Sequence, residues 1–179
     1  MDIFKTLTGR AIPLDMDNVD TDMIIPAQFL TKINRNGYGE HVFARLREQD
    51  KNFVFNDPHY QSLEILLTKA NFGCGSSREH AVWALKQAGI KVVIAPSYSD
   101  IFYNNSANNG LLTIILPEVN INTLIEQTLK EDIEITVDLQ QQIITTKNAN
   151  YSFDYDPFRK TCLLNGQDDF DYLLEATRG

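Results

Sequence analysis

Residues 63–116, LEILLTKANFGCGSSREHAVWALKQAGIKVVIAPSYSDIFYNNSANNGLLTIIL, hold three short apolar runs separated by two helix-like segments. Residues 63–68 read as a buried strand. Residues 91–95 read as a second, stopped by Pro96, and 111–116 as a third. In between, residues 77–88 place Ala81, Leu85 and Ala88 on one helical stripe, with Gly89 as terminator. Ser99 and Asp100 can cap a second helix running to Asn108 and ended by Gly110. A β-α-β-α-β order implies parallel strands joined by crossover helices.

Outward from this centre the chain is less regular. Residues 5–14 read as a strand pair, or as one strand with a bulge at Gly9. Residues 15–22 are rich in Asp and Asn and hence turn-like, and 24–26 form a short apolar segment. Residues 31–39 carry Lys32, Asn34, Arg35, Asn36, Gly37 and Gly39 and read as a mobile polar loop, outside the core. A short helix is expected at 40–47 and a longer one at 119–130. Residues 133–139 and 142–146 look like a hairpin around Gln140 and Gln141, and 151–155 alternate like a further strand. Short helices are expected at 157–164 and 169–176. No repeat or linker divides the 179 residues, so they read as one α/β domain, 1–179, with a mixed sheet.

Composition narrows the function. The net charge of -8 carries no basic footprint for nucleic acid, and it disfavours anionic membranes. An anionic substrate must therefore be held by a few local donors. No apolar run approaches the ~20 residues that span a bilayer, and the N-terminus lacks the apolar core of a signal peptide. Cytoplasmic residence is the default. Cys74 and Cys162 lie far apart without a CxxC pair, which argues against a zinc site or a disulfide framework. Two cysteines are also too few for the usual ligation of an iron–sulfur cluster.

The chemistry concentrates in Asn71-Phe72-Gly73-Cys74-Gly75-Ser76-Ser77-Arg78-Glu79-His80, between a strand and a helix. Gly73 and Gly75 permit a sharp turn and close backbone approach. Ser76 or Ser77 can cap the helix, whose N–H groups and dipole make an anion site. Arg78 adds a planar fork suited to a carboxylate. A phosphate-binding P-loop lacks its lysine here, a dinucleotide fingerprint lacks its third glycine, and a nucleophile elbow does not fit Gly75-Ser76-Ser77-Arg78. A capped helix with a surface arginine is the plain alternative.

The string NFGCGSSREHAVWAL resembles the signature of the small-subunit family of isopropylmalate isomerases (3-isopropylmalate dehydratases) and, more distantly, the swivelling domain of aconitase. Residues 17–27, DNVDTDMIIPA, look like the family's N-terminal segment. Residues 95–106, APSYSDIFYNNS, followed by Asn109-Gly110-Leu111-Leu112, look like its third block. The three blocks cover most of 15–116, and the length suits a free-standing small subunit. The chain ends a few residues after Glu175, where the resemblance implies a longer terminal helix.

The resemblance implies a swivelling β/β/α fold and a hydro-lyase that moves a hydroxyl between adjacent carbons by dehydration and rehydration. It implies Ser76 as the base, Asp22 as an active-site aspartate, and Gly75, Ser77 and Arg78 as substrate-binding residues. Arg35 resembles a second substrate-facing arginine. It places a [4Fe-4S] cluster on a separate large subunit, with none on this chain, and isopropylmalate as substrate in leucine biosynthesis. Relatives acting on citraconate, dimethylmalate or homoaconitate share the base and clamp, with residues 31–38 as the plausible selector. A non-catalytic anion-binding module explains the glycine loop but not the other two blocks. Cys74 reads as a small residue beside the loop, His80 as a packing or capping residue and Trp83 as core or subunit interface. His41 and His59 carry no assigned role.

Overall fold

A computed structural model of the chain describes residues 2–30, 36–167 and 173–174. Its centre is a four-stranded parallel sheet of β2 (Ala11–Pro13), β3 (Ile65–Leu67), β4 (Val92–Ala95) and β5 (Leu112–Ile115), in that order. Leu66 pairs with Val93, and Val93 with Thr113. The pleat sends Ile65, Leu67, Val92, Ile94, Leu112 and Ile114 to one core, and Leu66 and Val93 to the other. Both faces of β3 and β4 are covered, which is why these strands are continuously apolar rather than alternating. Each such aliphatic side chain contributes about 1.5–3 kcal/mol by leaving water.

The crossovers are helices α3 (Glu79–Gln87) and α4 (Asp100–Asn108). Ala81, Val82, Ala84 and Leu85 of α3 are buried against Leu66 and Val93. On the other face lies α5 (Glu118–Glu131), whose Ile121, Leu124, Ile125 and Thr128 recur at helical spacing and are buried. Proline ends β2, tolerated because β2 is an edge strand.

A second, antiparallel sheet has the order β1 (Thr6–Gly9), β6 (Ile135–Asp138), β7 (Ile143–Thr145), β8 (Asn150–Ser152). It shares the α5-side core through Ile135, Val137 and Ile144. The sheets thus divide the parallel and antiparallel strands between them. The strand pair expected at 5–14 is two strands of different sheets, because β1 pairs with β6 more than a hundred residues on. The hairpin of β6 and β7 forms where expected. So does helix α6 (Pro157–Asn165), capped by Asp156. Of the segment expected as a helix at 169–176, Leu173 and Leu174 are described and are helical.

Two expectations need correction. Residues 40–47 form a 3₁₀ turn, Gly39–His41, then helix α2 (Ala44–Gln49). Tyr38, assigned to a polar loop outside the core, is fully buried. Its ring meets His80 and Trp83, and its N–H donates to Gln87 Oε1 at 2.7 Å. Gly39 lies against α3 so closely that a Cβ there would sit 2.5 Å from the Gln87 carbonyl carbon. This end of the loop is therefore pinned to α3. Residues 31–35 lie outside the described residues.

Candidate active site

The loops leaving the carboxyl ends of β2, β3 and β4 meet at one edge of the parallel sheet, where open α/β sheets carry their ligands. There Thr21, Gly73, Gly75, Ser76, Ser77, Arg78 and the start of α4 line a cleft of about 280 Å³.

The glycine loop is seated on aromatic rings. Phe72 and Phe102 are buried and meet edge to face at 5.2 Å, with Tyr98 beside both. Gly73 has φ +79°, and a Cβ there would fall 2.2 Å from Phe102 Cγ. Gly75 has φ +86°, and its Cβ would lie 3.2 Å from Asp20 Cβ. Both positions need glycine, for backbone conformation and for close approach. Backbone bonds stitch the loop to its neighbours: Gly73 N–H to Val19 O at 2.7 Å, Thr21 N–H to Cys74 O at 2.9 Å, and Ser99 N–H to Phe72 O at 3.1 Å. Ser99 Oγ donates to Gly73 O at 2.8 Å and accepts from Phe102 N–H at 3.2 Å, so one hydroxyl caps α4 and holds the loop.

Ser76 and Ser77 are exposed on the cleft wall. Neither caps α3: the N-cap is Arg78, which forms no side-chain cap bond. Thr21 Oγ1 instead donates to Ser76 O at 2.7 Å and fixes that backbone from outside the helix. Among the described residues Ser76 Oγ has no hydrogen-bond partner, so the hydroxyl is left for whatever enters the cleft.

Asp22 belongs to the short helix α1 (Thr21–Ile24), capped by Asp20 through Met23 N–H at 2.7 Å. Its Oδ2 accepts from Arg45 at 2.6 Å. Its Oδ1 accepts from Ala27 N–H at 3.2 Å and from Arg78 Nη1 at 3.3 Å. The Arg45 bond, aided by Ala27 and Arg78 and opposed by partial burial, holds the Asp22 carboxyl below its ordinary value. Asp22 is thus an ionised acceptor at neutral pH, and Arg78 is tethered by one of its donors.

The sequence-expected residues Asp22, Gly75, Ser76, Ser77 and Arg78 come together here. Arg35 lies outside the described residues. Thr21, Arg45, Asp100 and Asn105 belong to the region and were not singled out as site residues. The Asp-Thr-Asp run could have flagged Thr21, whereas no local signal marks Arg45. Cys74 is a free thiol, and burial with Asp20 nearby pushes its pKa up, away from thiolate chemistry. His80 packs between Tyr38 and Trp83, and Trp83 Nε1 donates to Asn109. Among the described residues no group of three or more His, Cys, Asp or Glu side chains is placed to hold a metal ion.

The family model of the aconitase C-terminal domain matches residues 1–119. The 3-isopropylmalate dehydratase small subunit of Francisella tularensis subsp. novicida is 56% identical over 175 residues, covering 98% of this chain and 93% of that protein. The chain belongs to the 3-isopropylmalate dehydratase small-subunit family. The member from Roseobacter denitrificans is 50% identical over 182 residues, covering 98% of this chain and 90% of that one. The crystal structure of 3-isopropylmalate dehydratase from Methanocaldococcus jannaschii superposes with a TM-score of 0.71 at 30% identity, over 97% of this chain and 99% of that one. Family membership bears out both the aconitase-type fold and the assignment to a hydro-lyase subunit. No helix among the described residues is long and apolar enough to cross a membrane.

Proposed function

We propose that this chain, as one swivel domain, supplies the base and the carboxylate clamp of a 3-isopropylmalate dehydratase and works only against a large subunit. The observation that carries this reading is the cleft itself, which sets a serine hydroxyl without a partner among the described residues beside an arginine that these residues engage through one contact. Isopropylmalate, a hydroxy dicarboxylate, is the substrate, and the assembly is cytoplasmic. The relatives named above are small subunits of this dehydratase, which supports the choice over the citraconate, dimethylmalate and homoaconitate enzymes.

Arg78 receives one substrate carboxylate with the donors that Asp22 leaves free. Ser76 Oγ takes the proton from the carbon next to a carboxylate, the electron pair forms the carbon–carbon double bond, and the hydroxyl leaves from the adjacent carbon. Rehydration with the two carbons exchanged returns the proton from Ser76. A serine alkoxide is expensive in water, and the start of α3 together with Arg78 supplies the positive potential that makes it accessible. Asp22, ionised and double-paired, orients Arg78 rather than carrying protons. The two cysteines are too few for the usual cluster ligation, and among the described residues no group of three or more His, Cys, Asp or Glu side chains is placed to hold a metal. A [4Fe-4S] cluster on the large subunit would supply Lewis-acid chemistry towards the hydroxyl.

Arg78→Lys tests the clamp. Lysine keeps the charge but not the planar fork, so KM in the assembled enzyme is expected to rise by about tenfold or more, equivalent to roughly 1.4 kcal/mol. Steady-state kinetics in which KM and kcat both stay within about threefold would remove the clamp role.

A further inference from the structure

We infer that Arg45 is a positioning residue for the reaction, holding Asp22 so that Arg78 stays open to the substrate carboxylate. This rests on the reading of Arg78 as the clamp.

Among the described residues Asp22 has three donors around its two carboxylate oxygens, from three parts of the fold. Arg45 of α2 takes Oδ2 at 2.6 Å, while Oδ1 is shared by Ala27 N–H at 3.2 Å and Arg78 Nη1 at 3.3 Å. An aspartate and an arginine left to themselves favour a two-bond fork, in which both oxygens engage the guanidinium. Such a fork would bind two of the Arg78 donors and compete directly with a substrate carboxylate. With Oδ2 occupied by Arg45, Asp22 offers Arg78 only one long contact on an oxygen already in use. Arg78 is then aimed without being consumed.

Arg45 is delivered from a fixed base. The residue before helix α2, its N-cap Phe43, is fully buried with φ +52° and donates its N–H to Ile24 O at 2.8 Å, at the end of α1. The helices carrying Arg45 and Asp22 are therefore bonded to each other through the backbone. The other arginine of α2, Arg47, is engaged with the Glu40 carbonyl and does not compete. An exposed ion pair contributes little to stability. The 47% exposure of the Arg45 side chain makes it a poor candidate for a purely structural role.

The test uses the assembled two-subunit enzyme with Arg45→Ala, Arg45→Lys, Asp22→Asn and the Arg45→Ala/Asp22→Asn pair. Arg45→Ala is expected to raise KM about fivefold with kcat within about twofold, the split that marks lost ground-state positioning. Arg45→Lys should recover part of this, since one ammonium can still occupy one oxygen. In the Asp22→Asn background Arg45→Ala should add nothing beyond about twofold, because its effect passes through Asp22. The role is overturned if Arg45→Ala leaves KM unmoved, acts mainly on kcat, or raises KM equally in the Asp22→Asn background. In all three cases normal wild-type turnover leaves the underlying reading intact. A wild-type assembly that neither binds nor converts isopropylmalate would overturn that reading, and this role with it.

Discussion

Ser76→Ala is expected to lower turnover of the assembled enzyme by about 10²–10⁴-fold, and further if the serine is a dedicated strong base, with stability unchanged. The two halves of this expectation rest on different atoms. The hydroxyl forms no bond within the described fold and faces the cleft, so removing it takes away the proposed proton acceptor and nothing that holds the loop. What holds Ser76 is its carbonyl, bonded to Thr21 Oγ1 at 2.7 Å, and alanine keeps a carbonyl. An exposed substitution of this kind stays within about 0.5 kcal/mol of wild type. Kinetics of the reconstituted enzyme beside thermal melting of the chain read both halves. Near-normal turnover in a fully assembled variant would remove Ser76 from the mechanism.

Gly73→Ala should have the largest effect on the fold. The backbone there has φ +79°, which costs a non-glycine residue about 1–2 kcal/mol. The new Cβ would also lie 2.2 Å from Phe102 Cγ and 2.5 Å from Phe102 Cβ. Phe102 is 2% exposed and boxed in by Phe72 and Tyr98, so it cannot step aside cheaply. Overpacking of this kind adds about 1–3 kcal/mol, for a total near 2–5 kcal/mol. Gly75→Ala shares the positive φ but meets only Asp20 Cβ at 3.2 Å, and should cost less. Denaturant midpoints for the two variants separate conformation from collision. A wild-type midpoint for Gly73→Ala would mean that the loop is not seated on Phe102.

Legibility in the sequence followed the range of the interactions. Strands β3, β4 and β5 and their helices were readable because each apolar run is bounded by its own glycine, proline or cap within a few residues. The split of residues 5–14 was not, since β1 owes its sheet to Ile135–Asp138 at the far end of the chain. The cap of α3 was misread for a related reason. Serine is the better local cap, but the loop is fixed by Thr21, and the helix starts only after Arg78. Tyr38 looked like part of a polar loop because its neighbours are polar, and burial against His80 and Trp83 is a tertiary property. Within the site, the residues that would touch substrate lie in contiguous motifs, and the family resemblance carried them. Arg45 lies outside those motifs and emerges only from the folded contact with Asp22.

Complementation tests the proposed division of labour between two chains. The chain is purified alone, its iron and sulfide are quantified, and formation of the unsaturated dicarboxylate from isopropylmalate is assayed with and without the cluster-bearing large subunit. The chain alone is expected to be colourless and inactive, and to gain dehydration and rehydration together, saturating at a stoichiometric amount of partner. Turnover by the isolated chain, or a cluster bound to it, would overturn the division of labour.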